Sequence, residues 1–174
     1  HGQRIVGAAD GRGARAVDIA ALRVPDFDPA LTPAKPINDL ATSQMRMSVG
    51  DDVFIIGYPR GLERHGLPIW KRGSVAIDPT AAIDVDGHRT LLVDSATREG
   101  LSGGPVVMRT VGQLTRSDGS VFIDGQTHRM IVGIYSGRLG SADNLEAQIG
   151  IVWPIRYVDE IMTLGMRDTF LLDG

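Results

Sequence analysis

The chain contains no cysteine. That excludes disulfides, thiol catalysis and thiolate metal sites. It leaves the compartment open, since a secreted protein can also do without disulfides. No apolar run approaches the ~20 residues that a membrane-spanning helix needs. No basic run with interleaved aromatics marks a nucleic-acid track. A net charge of −3 is too slight to suggest a binder of nucleic acid or of a membrane surface. No signal-peptide pattern opens the chain at His1. No cluster of metal-ligating residues is visible, so neither metal nor cofactor is expected.

What is present suits a folded domain. A length of 174 residues, 43% hydrophobic and 22% charged, fits one compact domain or one made of two small barrels. The 22 glycines and 9 prolines imply many turns, the habit of short-stranded all-β domains. Strand-length runs rich in Val and Ile alternate with turn signals. "QRIVGAA" stops at "DGRG", "VDIAALRV" at Pro25 and "DDVFIIGYP" at "PRG". "LPIWKRGSVAI" stops at "DPT", and "HRTLLVD" follows "DVDG". "GPVVM" leads into a polar stretch with "SDGS", "HRMIVGIYSG" follows "DGQT", and "AQIGIVWP" follows another polar loop. Pro25 to Val49 reads as a long surface connection. After Pro154, "IRYVDEIMTLGM" is the helix candidate: Ile155, Val158, Ile161, Met162 and Leu164 fall near one face, and Gly165 marks a stop. Many strands followed by one helix fit an all-β domain and not a doubly wound α/β fold.

The stretch "REGLSGGPVVM", Arg98 to Met108, sets three glycines around one hydroxyl. Glycine gives the backbone freedom that a side chain forbids. A serine hydroxyl is a poor nucleophile unless a base activates it and donors hold the oxyanion that develops. Gly100 lets the chain curl so that its own amide and that of Ser102 aim at one spot. Gly103 and Gly104 clear space for a substrate chain. The plain alternative is a glycine-rich turn with an incidental serine. Asp18, in "AVDIAALRV", shares strand parity with Ala20, Leu22 and Val24 and is expected to face an apolar surface. A carboxylate there needs a partner. Orienting a histidine would supply one, and a local turn would supply another.

"GLSGGPVV" resembles the active-site segment of trypsin-like serine peptidases of the chymotrypsin fold. "VDIAALRV", "VGDDVFIIGYPRGL", "LLVDSATREGLSGGPVV", "MIVGIYSGR" and "IGIVWPI" resemble, in family order, successive segments of the bacterial branch related to HtrA-type proteases. The resemblance runs from about Arg4 to Ile161. It implies an all-β, chymotrypsin-like double β-barrel with a C-terminal helix and an active site in the cleft between barrels. The first barrel is expected to be incomplete in this chain, with part of it in residues 1–62 and the second barrel plus helix in 63–174.

The resemblance implies a serine endopeptidase acting on polypeptides, with Ser102 as nucleophile, Asp18 as triad acid, and the Gly100 and Ser102 amides as oxyanion hole. Asp94 is the rival acid by proximity, but its position belongs to the approach loop. The family order is His, Asp, Ser. Only His1 precedes Asp18, and its spacing is short, so the base is expected upstream of His1, with His1 itself the lesser alternative. His65, His88 and His128 read as solvated turn or strand-end histidines. Ala96, six before Ser102, takes the pocket-floor position and cannot favour Lys or Arg. Ser136, Gly137 and Arg138 fall on the strand that pairs with substrate, and Gly150 to Val152 form the opposite wall. A small or medium uncharged residue before the cut is expected. Leu101 stands where digestive proteases carry an acid, which argues against activation by a buried new N-terminus. Two other readings compete. One is a catalytically inactive protease-fold module that binds peptides or partners. The other is an α/β-hydrolase esterase, whose G-x-S-x-G elbow requires a helix after the serine.

Overall fold

The computed structural model describes residues 4–6, 17–22, 28, 45–60, 66–81, 83–85, 88–139, 148–164 and 166–167. Its strands are β1 (Arg4–Val6), β2 (Ala20–Leu22), β3 (Asp52–Gly57), β4 (Ile69–Val75), β5 (Ile83–Val85), β6 (His88–Asp94), β7 (Pro105–Thr115), β8 (Val121–Arg138), β9 (Ile149–Pro154) and β10 (Met166–Arg167). One α-helix, α1 (Ile155–Leu164), follows β9 directly. Most of the expected connection from Pro25 to Val49 lies outside the described residues, as do His1 and His65.

Alternation sets the strands. In β3, Val53 and Ile55 are fully buried while Asp52, Phe54 and Ile56 are only partly covered, the period-2 signature of a strand with one core face. Its neighbours are arranged in a circuit: β4 pairs β3, then β7, β8, β9 and β6 follow, and β6 pairs back onto β4 through Ser74↔Asp94 and Val75↔Val93. Every pairing is antiparallel. β3 precedes residue 62 yet joins this larger sheet. Val53, Ile55, Val75, Val93, Val106, Leu101 and Val152 fill the interior. A separate small sheet has the order β10, β1, β2.

A second apolar cluster joins the two sheets. Val17 and Ile19, just before β2, pack with Trp153 of β9 and with Tyr157 and Ile161 of α1. Tyr157 and Ile161 are one helical turn apart and centre the buried arc. Met162, expected on the same face, falls outside that arc and is 64% exposed. Among the described residues no helix is long and apolar enough to cross a membrane.

The hairpin β7–β8 departs from the sequence expectation. The polar stretch after "GPVVM" is strand as far as Thr115, and the turn falls at residues 116–120. There Asp118 Oδ1 accepts from Ser120 N and Oγ, and Gly119 has φ 86°. "DGQT" is not a turn before a strand but a bulge within one. Val111 pairs with Thr127 and Gln113 with Ile123, so Asp124, Gly125 and Gln126 stand opposite Gly112 alone. Asp124 Oδ1 accepts from Gln126 N, and Gly125 has φ 70°. Turn chemistry is used here to absorb extra residues in a strand.

Candidate active site

The loop carrying Ser102 is pressed against the end of β3. A Cβ on Gly104 would lie 2.2 Å from Ile56 O, and one on Gly100 would lie 2.4 Å from Tyr58 O. Gly100 also has φ 92°, a conformation other residues resist. Leu101 is buried in the core and anchors the loop from below. From the other side, Gly103 N donates to Tyr135 O at 2.7 Å and Tyr135 N to Gly104 O at 2.9 Å. Gly104 N donates to Leu101 O. The Gly100 and Ser102 amides have no backbone partner among the described residues. Ser102 is left at the exposed apex.

Its hydroxyl donates to Ser136 O at 2.6 Å. Ser136 is the extra residue of a further β8 bulge, because Tyr135 pairs with Val152 and Gly137 already pairs with Ile151. Freed from the ladder, its carbonyl faces Ser102, while its hydroxyl donates to Asp18 Oδ2 at 2.6 Å. One residue thus receives the nucleophile candidate on its main chain and the acid candidate on its side chain.

Asp18 differs from expectation in its face. Val17 and Ile19 are buried, and Asp18 and Ala20 are exposed. Ile19 N donates to Val17 O at 2.8 Å, a three-residue turn with Asp18 at its tip. The flanking apolar pair sinks into the helix-side cluster and the carboxylate projects toward Ser136. Asp94, the rival, ends β6 opposite Ser74 and Ile149.

The histidines also differ. His128 is buried, at 8% exposure, with Nε2 2.9 Å from Asp124 Oδ1. The Gln126 amide and then His128 hold the Asp124 carboxyl below the usual carboxylate range. His88 is half-buried and sits edge-on to Trp153 and Tyr157. Neither is a solvated surface histidine.

Ala96 is exposed at the tip of another three-residue turn, where Thr97 N donates to Ser95 O at 2.8 Å. Thr97 turns inward and its hydroxyl bonds to Tyr135 Oη. Burial pushes the Tyr135 phenol up, partly offset by that bond and by Arg138. Gly137 is half-covered and Arg138 exposed. Sequence reasoning placed Ser136 on the substrate strand without seeing its two bonds, and it missed Thr97 and Tyr135 altogether. The one available signal was Gly137 inside a strand run, a mark of a bulge. The esterase reading lacks its helix, since β7 follows the glycines. That reading would also need an acid and a histidine after Ser102, but Asp118 lies in the hairpin turn and His128 bonds Asp124.

A family model described as a trypsin-like peptidase domain matches residues 2–115. No curated protein matches. Among solved structures, the Rv3671c protease in its inactive form is 20% identical, with a TM-score of 0.50 and coverage of 92% of this chain and 65% of that one. The Rv3671c protease from M. tuberculosis in its active form is 21% identical, with a TM-score of 0.49 and coverage of 92% and 57%. The chain therefore spans less than two thirds of the length of these structures. The fold is all-β and chymotrypsin-like, with a C-terminal helix. The family match takes in well over half of the chain, including Asp18 and Ser102, and the chain belongs to the trypsin-like peptidase domain family.

Proposed function

We propose that the domain is a serine endopeptidase that hydrolyses peptide bonds through an acyl-enzyme on Ser102. The observation that carries this reading is the pair of 2.6 Å bonds on Ser136, which join Ser102 and Asp18 across one residue of β8. The general base this reading requires is a histidine outside the described residues, since His128 bonds Asp124 and His88 sits against Trp153 and Tyr157. It draws the Ser102 proton away from the Ser136 carbonyl as Oγ attacks the substrate carbonyl carbon, and Asp18 orients it. The Gly100 and Ser102 amides hold the oxyanion, a role for which the neighbouring Gly103 and Gly104 amides are already committed to Tyr135 and Leu101. Collapse expels the amine, which takes the proton from the base. Water then attacks the ester, its proton passes to the base, and the acid leaves as Oγ is reprotonated. With no acidic residue at Ala96, the reading favours a small or medium uncharged side chain before the cut.

The test is a fluorophosphonate label on the full-length polypeptide that carries this chain. The label is expected on Ser102 and lost in Ser102→Ala, with peptide cleavage falling by about 10³-fold or more. An intact polypeptide that takes no label, or takes it equally in Ser102→Ala, would end this reading. One observation favours a second reading, a peptide-binding module without chemistry: among the described residues the Ser102 hydroxyl meets a main-chain carbonyl and no histidine. Saturable peptide binding by a polypeptide that neither labels nor cleaves would select it.

A further inference from the structure

Tyr135 precedes Ser136 on β8, and its main chain is bonded to Gly103 and Gly104 beside the nucleophile. Its side chain leaves that point for the interior and is 2% exposed. At the far end its phenol oxygen bonds to Thr97 Oγ1, and Thr97 is itself 7% exposed. Along the way the ring covers Gly150, where a Cβ would fall 2.5 Å from Tyr135 Cε2. Thr97 belongs to the approach segment, Gly150 to the opposite wall and Ser136 to the substrate strand. On the peptidase reading, these three segments surround the side chain that precedes the scissile bond.

We propose that Tyr135 is a specificity-determining residue whose ring fills the primary pocket from within, so that only a small substrate side chain fits beside Ser102. This rests on the peptidase reading and names the device that sets its preference. The ring does not act as a gate. Swinging it out would strip two buried hydroxyls of each other, and leaving buried polar groups unpaired is costly. Gly150 is the matching concession on β9: any side chain there would compete with the ring for the same volume. A larger substrate group therefore meets a fixed wall.

The experiment has two arms. In the first, phenol is titrated into wild-type protein and Tyr135→Ala and followed by amide shifts. Phenol is expected to bind only the variant and to move the Thr97, Gly150 and Ser102 amides. Binding to the variant that leaves all three unmoved would overturn the proposal. In the second arm, the full-length polypeptide is labelled with peptidyl diphenyl phosphonates carrying Ala, Val, Leu or Phe next to phosphorus. Wild type is expected to react fastest with Ala or Val. Tyr135→Ala should raise the Phe-to-Ala rate ratio at least tenfold, and Tyr135→Phe, which keeps the ring, should leave it unchanged. A wild type fastest with Phe, or an unchanged ratio in Tyr135→Ala, would also overturn it. Should Tyr135→Ala not fold, Tyr135→Leu is put through the same series with the same expected direction. If no phosphonate labels any form while phenol fills the void beside Ser102, the peptidase reading fails and the filled pocket stands.

Discussion

Ser136 carries more of the site's geometry than any motif suggested. Its carbonyl takes the Ser102 hydroxyl and its own hydroxyl goes to the Asp18 carboxylate. The two bonds are separable by substitution, because Ser136→Ala removes only the second. A hydrogen bond to a charged group contributes about 1.5 kcal/mol, so kcat/KM should fall roughly tenfold while fluorophosphonate labelling of Ser102 persists. Ser136→Thr, which keeps the hydroxyl, should restore most of the loss. Equal rates for Ser136→Ala and wild type would show that Asp18 is oriented without this bond. The role was illegible beforehand for a physical reason. A serine next to glycine in a strand run gives no sign of where its carbonyl points until the bulge is known.

At the scale of elements, α1 connects distant parts of the chain. Ile161 and Tyr157 pack on Val17 and Ile19, which flank Asp18. Truncating Ile161→Ala should cost about 3 kcal/mol, in the range for buried aliphatic deletions. It should also raise hydrogen exchange at the Ile19 amide more than at Val53 in the core of the larger sheet. Equal changes at the two amides would contradict the link between helix and aspartate. Met162→Ala, on the exposed side, is the control and should change stability by less than about 0.5 kcal/mol. The helix and most strands were readable from apolar periodicity and turn residues. Two features were not. Asp18 lies between two apolar parities, Val17 with Ile19 and Ala20 with Leu22, so alternation alone could not choose its face. "DGQT" has the composition of a turn, and only pairing with β7 turns it into a bulge.

Across the whole molecule, the site exists because residues 34 and 118 positions apart in sequence meet on one strand. No local pattern encodes such convergence. The ordered family resemblance carried the fold and offered Ser102 and Asp18 as candidates, but it gave no sign of the Ser136 bonds that bring them together. The strand circuit that produces the convergence is closed at its narrowest by the two β4–β6 pairs, with Ser95 Oγ donating to Arg72 O beside them. Gly73 permits this closure: a Cβ there would sit 2.6 Å from Asp94 O and 2.8 Å from Ser95 Cβ. Gly73→Ala would wedge that seam apart and push on the chain leading to Thr97, two residues beyond Ser95. Its first symptom should be a loosened substrate preference in protein that is still folded, measurable as faster reaction with bulky phosphonates below the melting transition. The joint that closes the strand circuit is thereby also a distant adjusting screw for which side chains the site accepts.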